Sequence, residues 1–451
     1  MKFKLNQYNY SSLFRLVEIA KYNKANKFEI EPTPKLENLP QFSMMASFLY
    51  RLLDHEMDSE IWLHNFPYCV LNDKSRDHIL AQQSRYPGEK IKKCRNCRYY
   101  KNCSGFPRGY FKEYGFREVQ PIVDLPKEVM IEVEPRCNFN CQFCFNKISF
   151  ANHGRNIKQF KTGYIKKIID GISQAGIKII RFTGGEPLLR KDIFQLMKYA
   201  KSKGLEVGLN TNGSLITSGA AKKMKGIVDN VLIPIENYQG KKEELITGQA
   251  NSLDQKIKAI KLLKKAKIPI VRVGTVSLKK TILKLEKFAE FIFKLPVDEW
   301  ELYRPISGER EAAAINNKDV ELLVKKLIKI RQRTGRVVFI ANALPFCSIG
   351  DLNKINSVSQ GALFDDGHSR LVIDPRGFVK PHYFLDKNIG HPLDILGAWN
   401  HPFMRRMRNL KYLPKECTPC NFRFKCQGGS RYEAKIAHGS YQASDPLARP
   451  P

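Results

Sequence analysis

The 451-residue chain has no uninterrupted apolar stretch of about 18 residues, the minimum for a membrane-spanning helix. Its amino terminus, MKFKLNQYNYSSLF, lacks the apolar core of a secretory signal. The expectation is a cytoplasmic protein that does not engage a membrane. Low-complexity linkers are absent, and so is any block of five or more like charges, which argues against a disordered binding arm. Acidic residues are scarce: 44 Asp plus Glu face 76 Lys plus Arg, a formal charge of +32. A field of that size attracts acidic partners. The lysines nevertheless interleave with apolar positions, as in KKIIDGISQ, KKEELITG and KKLIKIRQR, the pattern of solvated helix faces. Nucleic acid is therefore not the expected partner.

What the chain does have is core material: 43% hydrophobic and 11% aromatic residues, enough for two or three compact units. It also has eleven cysteines. In a reducing compartment an odd number of thiols points to metal binding or catalysis rather than to disulfides.

Residues 126–310 alternate short β-rich runs with amphipathic stretches such as TGYIKKIIDGISQAG and SLDQKIKAIKLLKKA. Six strands are expected, at 129–135, 177–184, 205–213, 229–236, 268–277 and 298–305. Repeated βαβ units with right-handed crossovers give an α/β fold, a partial (β/α)6 TIM-like barrel whose strand ends share one rim. Residues 1–125 read as a mostly helical region with a cysteine-rich patch. Residues 311–451 open on the helical pattern ELLVKKLIKIRQR and become turn-rich from Leu344.

Cys137-Asn-Phe-Asn-Cys141-Gln-Phe-Cys144 follows the first strand and places three thiolates on one short loop at the rim. Three cysteines can wrap a 4Fe-4S cubane and leave one iron open to a ligand. A structural zinc would want a fourth protein ligand, and no Cys or His lies within the next eight residues.

The CxxxCxxC spacing, with aromatic Phe143 before the last cysteine, resembles the signature of the radical S-adenosylmethionine (SAM) superfamily. That resemblance implies a catalytic 4Fe-4S cluster on Cys137, Cys141 and Cys144. In that family SAM chelates the open iron and is cleaved to methionine and a 5′-deoxyadenosyl radical, and by the resemblance Phe143 would lie near the adenine. Gly184-Gly185-Glu186-Pro187 ends the second strand and resembles the family's GGEP motif beside the methionyl amino group. Its glycines allow a close backbone approach to a ligand; the bland alternative is a strand-to-helix turn, with Pro187 opening the helix. Asn210-Thr211-Asn212 ends the third strand and is similar to the TNG segment beside SAM. Arg272, on the fifth strand, is a candidate partner for the SAM carboxylate. The fourth strand carries Ile233-Pro234-Ile235-Glu236 where many relatives show serine and aspartate, which leaves Glu236 as the candidate ribose contact. Tyr303-Arg304-Pro305, closing the sixth strand, faces either substrate or core.

Near the carboxyl end, Cys417-x2-Cys420-x5-Cys426, the following Gly428-Gly429 and the later Asp445-Pro446-Leu447-Ala448 resemble the SPASM extension of peptide-maturing relatives. His382, Ser430 and Ala448 stand where the full pattern has cysteine, so this extension is degenerate and has ligands for one auxiliary cluster. Its fourth ligand is Cys347 or His382. The amino-terminal region repeats the arithmetic, with Cys69 followed by Cys94-x2-Cys97-x5-Cys103. One catalytic and two auxiliary 4Fe-4S clusters would account for all eleven cysteines. Four cysteines are also a common zinc set, which leaves zinc as the alternative at either outer site.

The resemblance implies an enzyme that abstracts hydrogen from a peptide or protein, one recruited through an acidic leader, and then crosslinks, epimerises or oxidises it. A reductant such as flavodoxin or ferredoxin would serve it. A tetrapyrrole or other small molecule is the alternative substrate. A zinc-containing nucleic-acid-binding protein is the alternative of another class.

Overall fold

The computed structural model describes all residues except 56–59, 72–78, 80–87, 98, 101–102, 121, 123–124, 143, 145–158, 307–314, 363–366, 418, 421 and 450–451. The chain divides into two compact units, Met1–Asp124 and Leu125–Pro451.

In the first unit, β1 (Lys2–Leu5), β2 (Lys27–Pro32) and β3 (Glu60–Leu63) form a parallel sheet in that order. Helices Leu13–Tyr22 and Phe42–His55 connect the strands. Their apolar stripe of Leu13, Val17, Phe42, Met45 and Leu49 packs on Leu5, Phe28, Ile30, Ile61 and Leu63. A region read as mostly helical thus holds a sheet as well. Its strands KFKL and KFEIEP do alternate charged and apolar residues, but in runs of only four and six residues beside longer helical patterns.

The second unit is built on a nine-stranded sheet in the order β10-β9-β8-β7-β6-β5-β4-β11-β12. β4 (Glu128–Glu134), β5 (Ile179–Gly184), β6 (Glu206–Asn210), β7 (Asn230–Pro234), β8 (Ile270–Val276) and β9 (Glu299–Tyr303) are the six expected strands, paired in parallel throughout. Three more come from residues 311–451. β10 (Val337–Ile340) extends the sheet beyond β9, and β11 (Arg370–Ile373) lies parallel to β4 and antiparallel to β12 (Val379–Lys380).

The helices cover this sheet because their apolar positions recur at helical spacing. In Thr162–Gln174 the buried side chains are Ile165, Ile168, Ile169 and Ile172. Each contributes about 1.5–3 kcal/mol by leaving water. They meet Val129, Ile131 and Val133 of β4, whose alternate residues Glu128, Glu132 and Glu134 are also buried. Glu128 is paired there with Arg181 and Arg370, which hold its carboxyl down at about 2 against the effect of burial. The barrel is apolar toward its helices and ionic within. Among the described residues no helix is long and apolar enough to cross a membrane.

Candidate active site

The carboxyl ends of the barrel strands enclose a cavity of about 330 Å³. Cys137, Cys141 and Cys144 line it, together with Gly184, Gly185, Asn210, Thr211, Asn212 and Glu236. Tyr303, Arg304 and Pro305 line it too, while the Tyr303 hydroxyl donates to Glu301 inside the barrel and Arg304 pairs with Asp445 at 2.6 Å. Phe143 lies outside the described residues.

The cysteine loop is held from two sides. Its backbone N–H groups at Asn140 and Gln142 donate to the carbonyls of Thr247 and Ile246, at the end of helix Gly240–Thr247, at 3.0 and 2.8 Å. On the other side it runs against the GGEP turn. Gly185 N–H donates to the Glu134 carbonyl at 2.6 Å and Glu186 N–H to the Arg136 carbonyl at 2.8 Å. A Cβ on Gly184, whose φ is +143°, would stand 2.3 Å from the Glu134 carbonyl oxygen, and one on Gly185 would stand 2.2 Å from that of Arg136. The two glycines are therefore required first by the crossing of the cysteine loop.

Glu186 is fully buried, and burial pushes its carboxyl up to about 7. It accepts from Leu188 N–H at 3.0 Å, Thr211 Oγ1 at 2.7 Å and Asn212 N–H at 2.7 Å. It thus ties the end of β5 to the end of β6. Pro187 is buried in the following turn. Asn212 Nδ2 in turn donates to Asn138 Oδ1 at 2.8 Å and reaches Cys137 Sγ at 3.8 Å. Phe139 N–H also points at Cys137 Sγ, at 3.4 Å.

Burial pushes the Cys141 thiol up to about 12, opposed by the ammonium of Lys256. A bound metal reverses that preference, because coordinated thiols ionise outright. Three thiols at one cavity wall, with N–H donors and a cation directed at them, suit an anionic thiolate-ligated cluster. Among the described residues no three Cys, His, Asp or Glu side chains converge closely enough to hold a single metal ion. A tetrahedral zinc would need sulfurs about 3.8 Å apart.

Lys256 escaped the sequence reading. It is 1% exposed and bonded to the fully buried Glu243, 2.5 Å away. The other carboxylate oxygen of Glu243 accepts from the N–H groups of Glu236 and Asn237 at 2.9 and 2.7 Å. The available signal is positional: Lys256 falls in the apolar stripe Leu253, Ala259, Ile260, Leu263 of its helix, where a solvated lysine does not belong. Arg370, Tyr383 and Phe384 also line the cavity and carry no local motif.

Two expectations change. Arg272 does not line the cavity: its guanidinium is bonded to Glu301 and, at 2.8 Å, to Asn230 Oδ1 inside the barrel. Glu236 does line it, while its carboxylate accepts from Val276 N–H at 2.8 Å. The outer cysteines gather as two groups. Cys69 lies within Coulombic range of Cys94, Cys97 and Cys103, and burial chiefly pushes its thiol up to about 11. Cys347 lies beside Cys417, Cys420 and Cys426, and Phe346 N–H donates to Cys426 Sγ at 3.3 Å. His382, the competing ligand, lines the cavity instead.

Residues 131–292 match the model of the Radical SAM superfamily. The AdoMet-dependent heme synthase of Nitratidesulfovibrio vulgaris is 24% identical over 343 residues, covering 71% of this chain and 91% of that protein. The PqqA peptide cyclase of Granulibacter bethesdensis is 22% identical over 338 residues, covering 72% and 87%. Among solved structures, Streptococcus suis SuiB bound to S-adenosylmethionine superposes with a TM-score of 0.58 at 15% identity, covering 75% of this chain and 79% of that one. For anSMEcpe with bound AdoMet the TM-score is 0.56 at 17% identity, covering 71% and 93%. These likenesses show a shared fold. With this match and the cysteine loop at the mouth of the barrel, residues 131–292 of this chain form a radical SAM domain.

Proposed function

We propose that this chain is a cytoplasmic enzyme that modifies a ribosomally made peptide or protein by crosslinking, epimerisation or oxidation. The observation that carries the reading is the single cavity in which three cysteines meet the ends of β5, β6, β7 and β9. When bound, a 4Fe-4S cluster and SAM would supply a 5′-deoxyadenosyl radical there. Cys137, Cys141 and Cys144 would hold the cluster and leave one iron for SAM. Gly184, Gly185, Asn210, Thr211 and Asn212 border the space SAM would fill, with Glu186 and Pro187 bracing them from behind and Glu236 toward the ribose. Aromatic Tyr303, Tyr383 and Phe384 and basic Arg304 and Arg370 make the opposite wall, which would orient substrate and exclude water. Cys69, Cys94, Cys97 and Cys103 would hold one auxiliary 4Fe-4S cluster, and Cys347, Cys417, Cys420 and Cys426 a second. Flavodoxin or ferredoxin would be the reductant.

Support for a peptide substrate comes from the PqqA peptide cyclases among the relatives and from a fold shared with SuiB, solved bound to precursor peptide SuiA. The basic charge suits an acidic leader. A tetrapyrrole is the second reading, favoured by the heme synthase relatives. The test is anaerobic reconstitution with iron and sulfide quantified and SAM cleavage followed after reduction. About twelve irons per chain are expected from three cubanes. Cys141→Ala should abolish deoxyadenosine formation, whereas Cys420→Ala should spare part of it; unchanged cleavage in Cys141→Ala refutes the reading. Turnover of a peptide encoded beside the gene, set against turnover of an acidic tetrapyrrole, separates the two substrates.

A further inference from the structure

The two outer cysteine groups belong to different units and follow the same backbone path. In each, a proline leads into a single 3-10 turn that carries the lone cysteine. Pro67 (φ −62°, ψ 131°) precedes Tyr68–Val70, and Pro345 (φ −68°, ψ 134°) precedes Phe346–Ser348. Val70 N–H closes the first turn on the Pro67 carbonyl at 3.2 Å, and Ser348 N–H closes the second on Pro345 at 3.1 Å.

The cysteine triplets correspond bond for bond. Cys97 N–H donates to the Cys94 carbonyl at 2.9 Å, as Cys420 does to Cys417 at 3.2 Å. Tyr100 donates to Cys97 at 3.0 Å, as Arg423 does to Cys420 at 3.2 Å. Cys103 donates to Tyr99 and Cys426 to Phe422, both at 2.8 Å. The aromatic residue before each lone cysteine packs on the aromatic residue inside each triplet: Tyr68 on Tyr99 with centroids 4.1 Å apart, Phe346 on Phe422 at 5.7 Å.

The sulfurs are also caged alike. Cys103 Sγ accepts from the N–H groups of Tyr68 and Gly105, and Cys426 Sγ from those of Phe346 and Gly428. Gly105 and Gly428 hold φ values of +78° and +74°, the left-handed conformation that turns the N–H back onto the sulfur. Donors aimed at sulfur stabilise thiolates and tune the potential of a cluster they ligate. One module therefore occurs twice, and the two copies should accept the same guest.

Their surroundings differ. From Lys90 to Lys112 the chain carries eight Lys or Arg and no Asp or Glu. Lys92, Lys93 and Arg95 are exposed around half-buried Cys94 and Cys97. The carboxyl-terminal copy is basic too but less so, with five Lys or Arg from Lys411 to Arg431 and with Glu416 between Lys415 and its first cysteine. A cationic rim on a half-exposed redox centre is the complement of an acidic electron carrier, since charge complementarity raises encounter rates by about 10–10³.

We propose that the amino-terminal unit is an electron port: Cys69, Cys94, Cys97 and Cys103 hold a 4Fe-4S centre, and Lys92, Lys93 and Arg95 beside it dock an acidic one-electron carrier protein. The proposal rests on the reading of the outer groups as auxiliary clusters. In the step, the carrier is oxidised by one electron and the centre reduced by one, and no covalent bond is made or broken.

The test uses the full, anaerobically reconstituted chain and photoreduced flavodoxin as the carrier. K92E/K93E/R95E should keep its iron and sulfide and its dithionite-driven SAM cleavage. Its reduction by flavodoxin, followed by the paramagnetic signal of the reduced centre, should slow at least about tenfold at low ionic strength and lose its salt dependence. Cys69→Ala should lose about four irons and still form deoxyadenosine with dithionite. An unchanged flavodoxin rate overturns the proposal, as does zinc in the site or full iron retention in Cys69→Ala. If instead dithionite-driven peptide turnover falls while flavodoxin reduction holds, the rim binds an acidic leader and the port assignment is wrong. None of these outcomes touches the Cys141→Ala test, which judges the radical chemistry separately.

Discussion

Replacing Lys256 with methionine keeps the length of the side chain and removes its charge. The carboxylate of Glu243, fully buried, then retains the N–H donors of Glu236 and Asn237 but loses its counter-ion. An uncompensated buried charge of this kind destabilises by about 3–5 kcal/mol. Changing both partners, in K256M/E243Q, removes the charge together with its partner, and the loss should shrink to about 1–2 kcal/mol. Trp62 lies in the first unit and Trp300 and Trp399 in the second, so Trp62→Phe makes fluorescence report the second unit alone during urea unfolding. Activity supplies an independent readout. The helix that carries Glu243 ends on the carbonyls that hold Asn140 and Gln142, so K256M should also lose cluster iron and deoxyadenosine formation. If K256M unfolds within about 1 kcal/mol of the parent, or the double variant is less stable than the single one, the ion pair is not what anchors the cysteine loop.

Gly185→Ala puts a Cβ 2.2 Å from the Arg136 carbonyl oxygen, so the cysteine loop must shift; iron retention and SAM affinity should each fall more than about tenfold while the far-UV spectrum is kept. Arg272→Gln strands Glu301, and it should lower the stability of the second unit by about 3–5 kcal/mol without changing SAM affinity measured at low temperature; a selective loss of SAM binding would restore Arg272 to the site. Glu132 is buried, its carboxylate oxygens have no hydrogen-bond partner among the described residues, and burial raises it from the ordinary 4.5 to about 7. The folded state then keeps a proton that the unfolded chain releases, so stability is fullest below pH 4.5 and falls by about 3 kcal/mol as pH rises toward 7. Glu132→Gln should make that slope shallower in denaturation curves taken across this window, leaving the share of Glu186, which burial raises to about 7 as well.

The cysteine loop was legible because its three cysteines lie within eight residues of one another, directly after a strong strand. Gly184-Gly185-Glu186-Pro187 and Asn210-Thr211-Asn212 were legible because consecutive parallel strands deliver their carboxyl ends to one rim. Arg272 was misplaced because strand alternation gives the face of a side chain but not its depth. It shares a face with Val276, which lines the cavity, yet stands four residues earlier on β8, about 13 Å deeper. There it meets Glu301 of β9 instead of a ligand. β11 and β12, of four and two residues, gave no periodic signal, because they exist only where β4 and the Asp374–Phe378 turn supply partners.

By itself the sequence determined the six-strand barrel, the cysteine loop after its first strand and the presence of eight further cysteines in two matching patterns. Those properties come from local periodicity and close spacing, which a chain displays before it folds. Only the tertiary structure decided that Cys347 comes within Coulombic range of Cys417 and Cys426 while His382 lines the cavity, that Lys256 supports the cysteine loop, and that the glycines of the GGEP turn make room for that loop's backbone. Each of these is a contact between residues far apart in the chain, set by which loops the closed sheet brings to its rim.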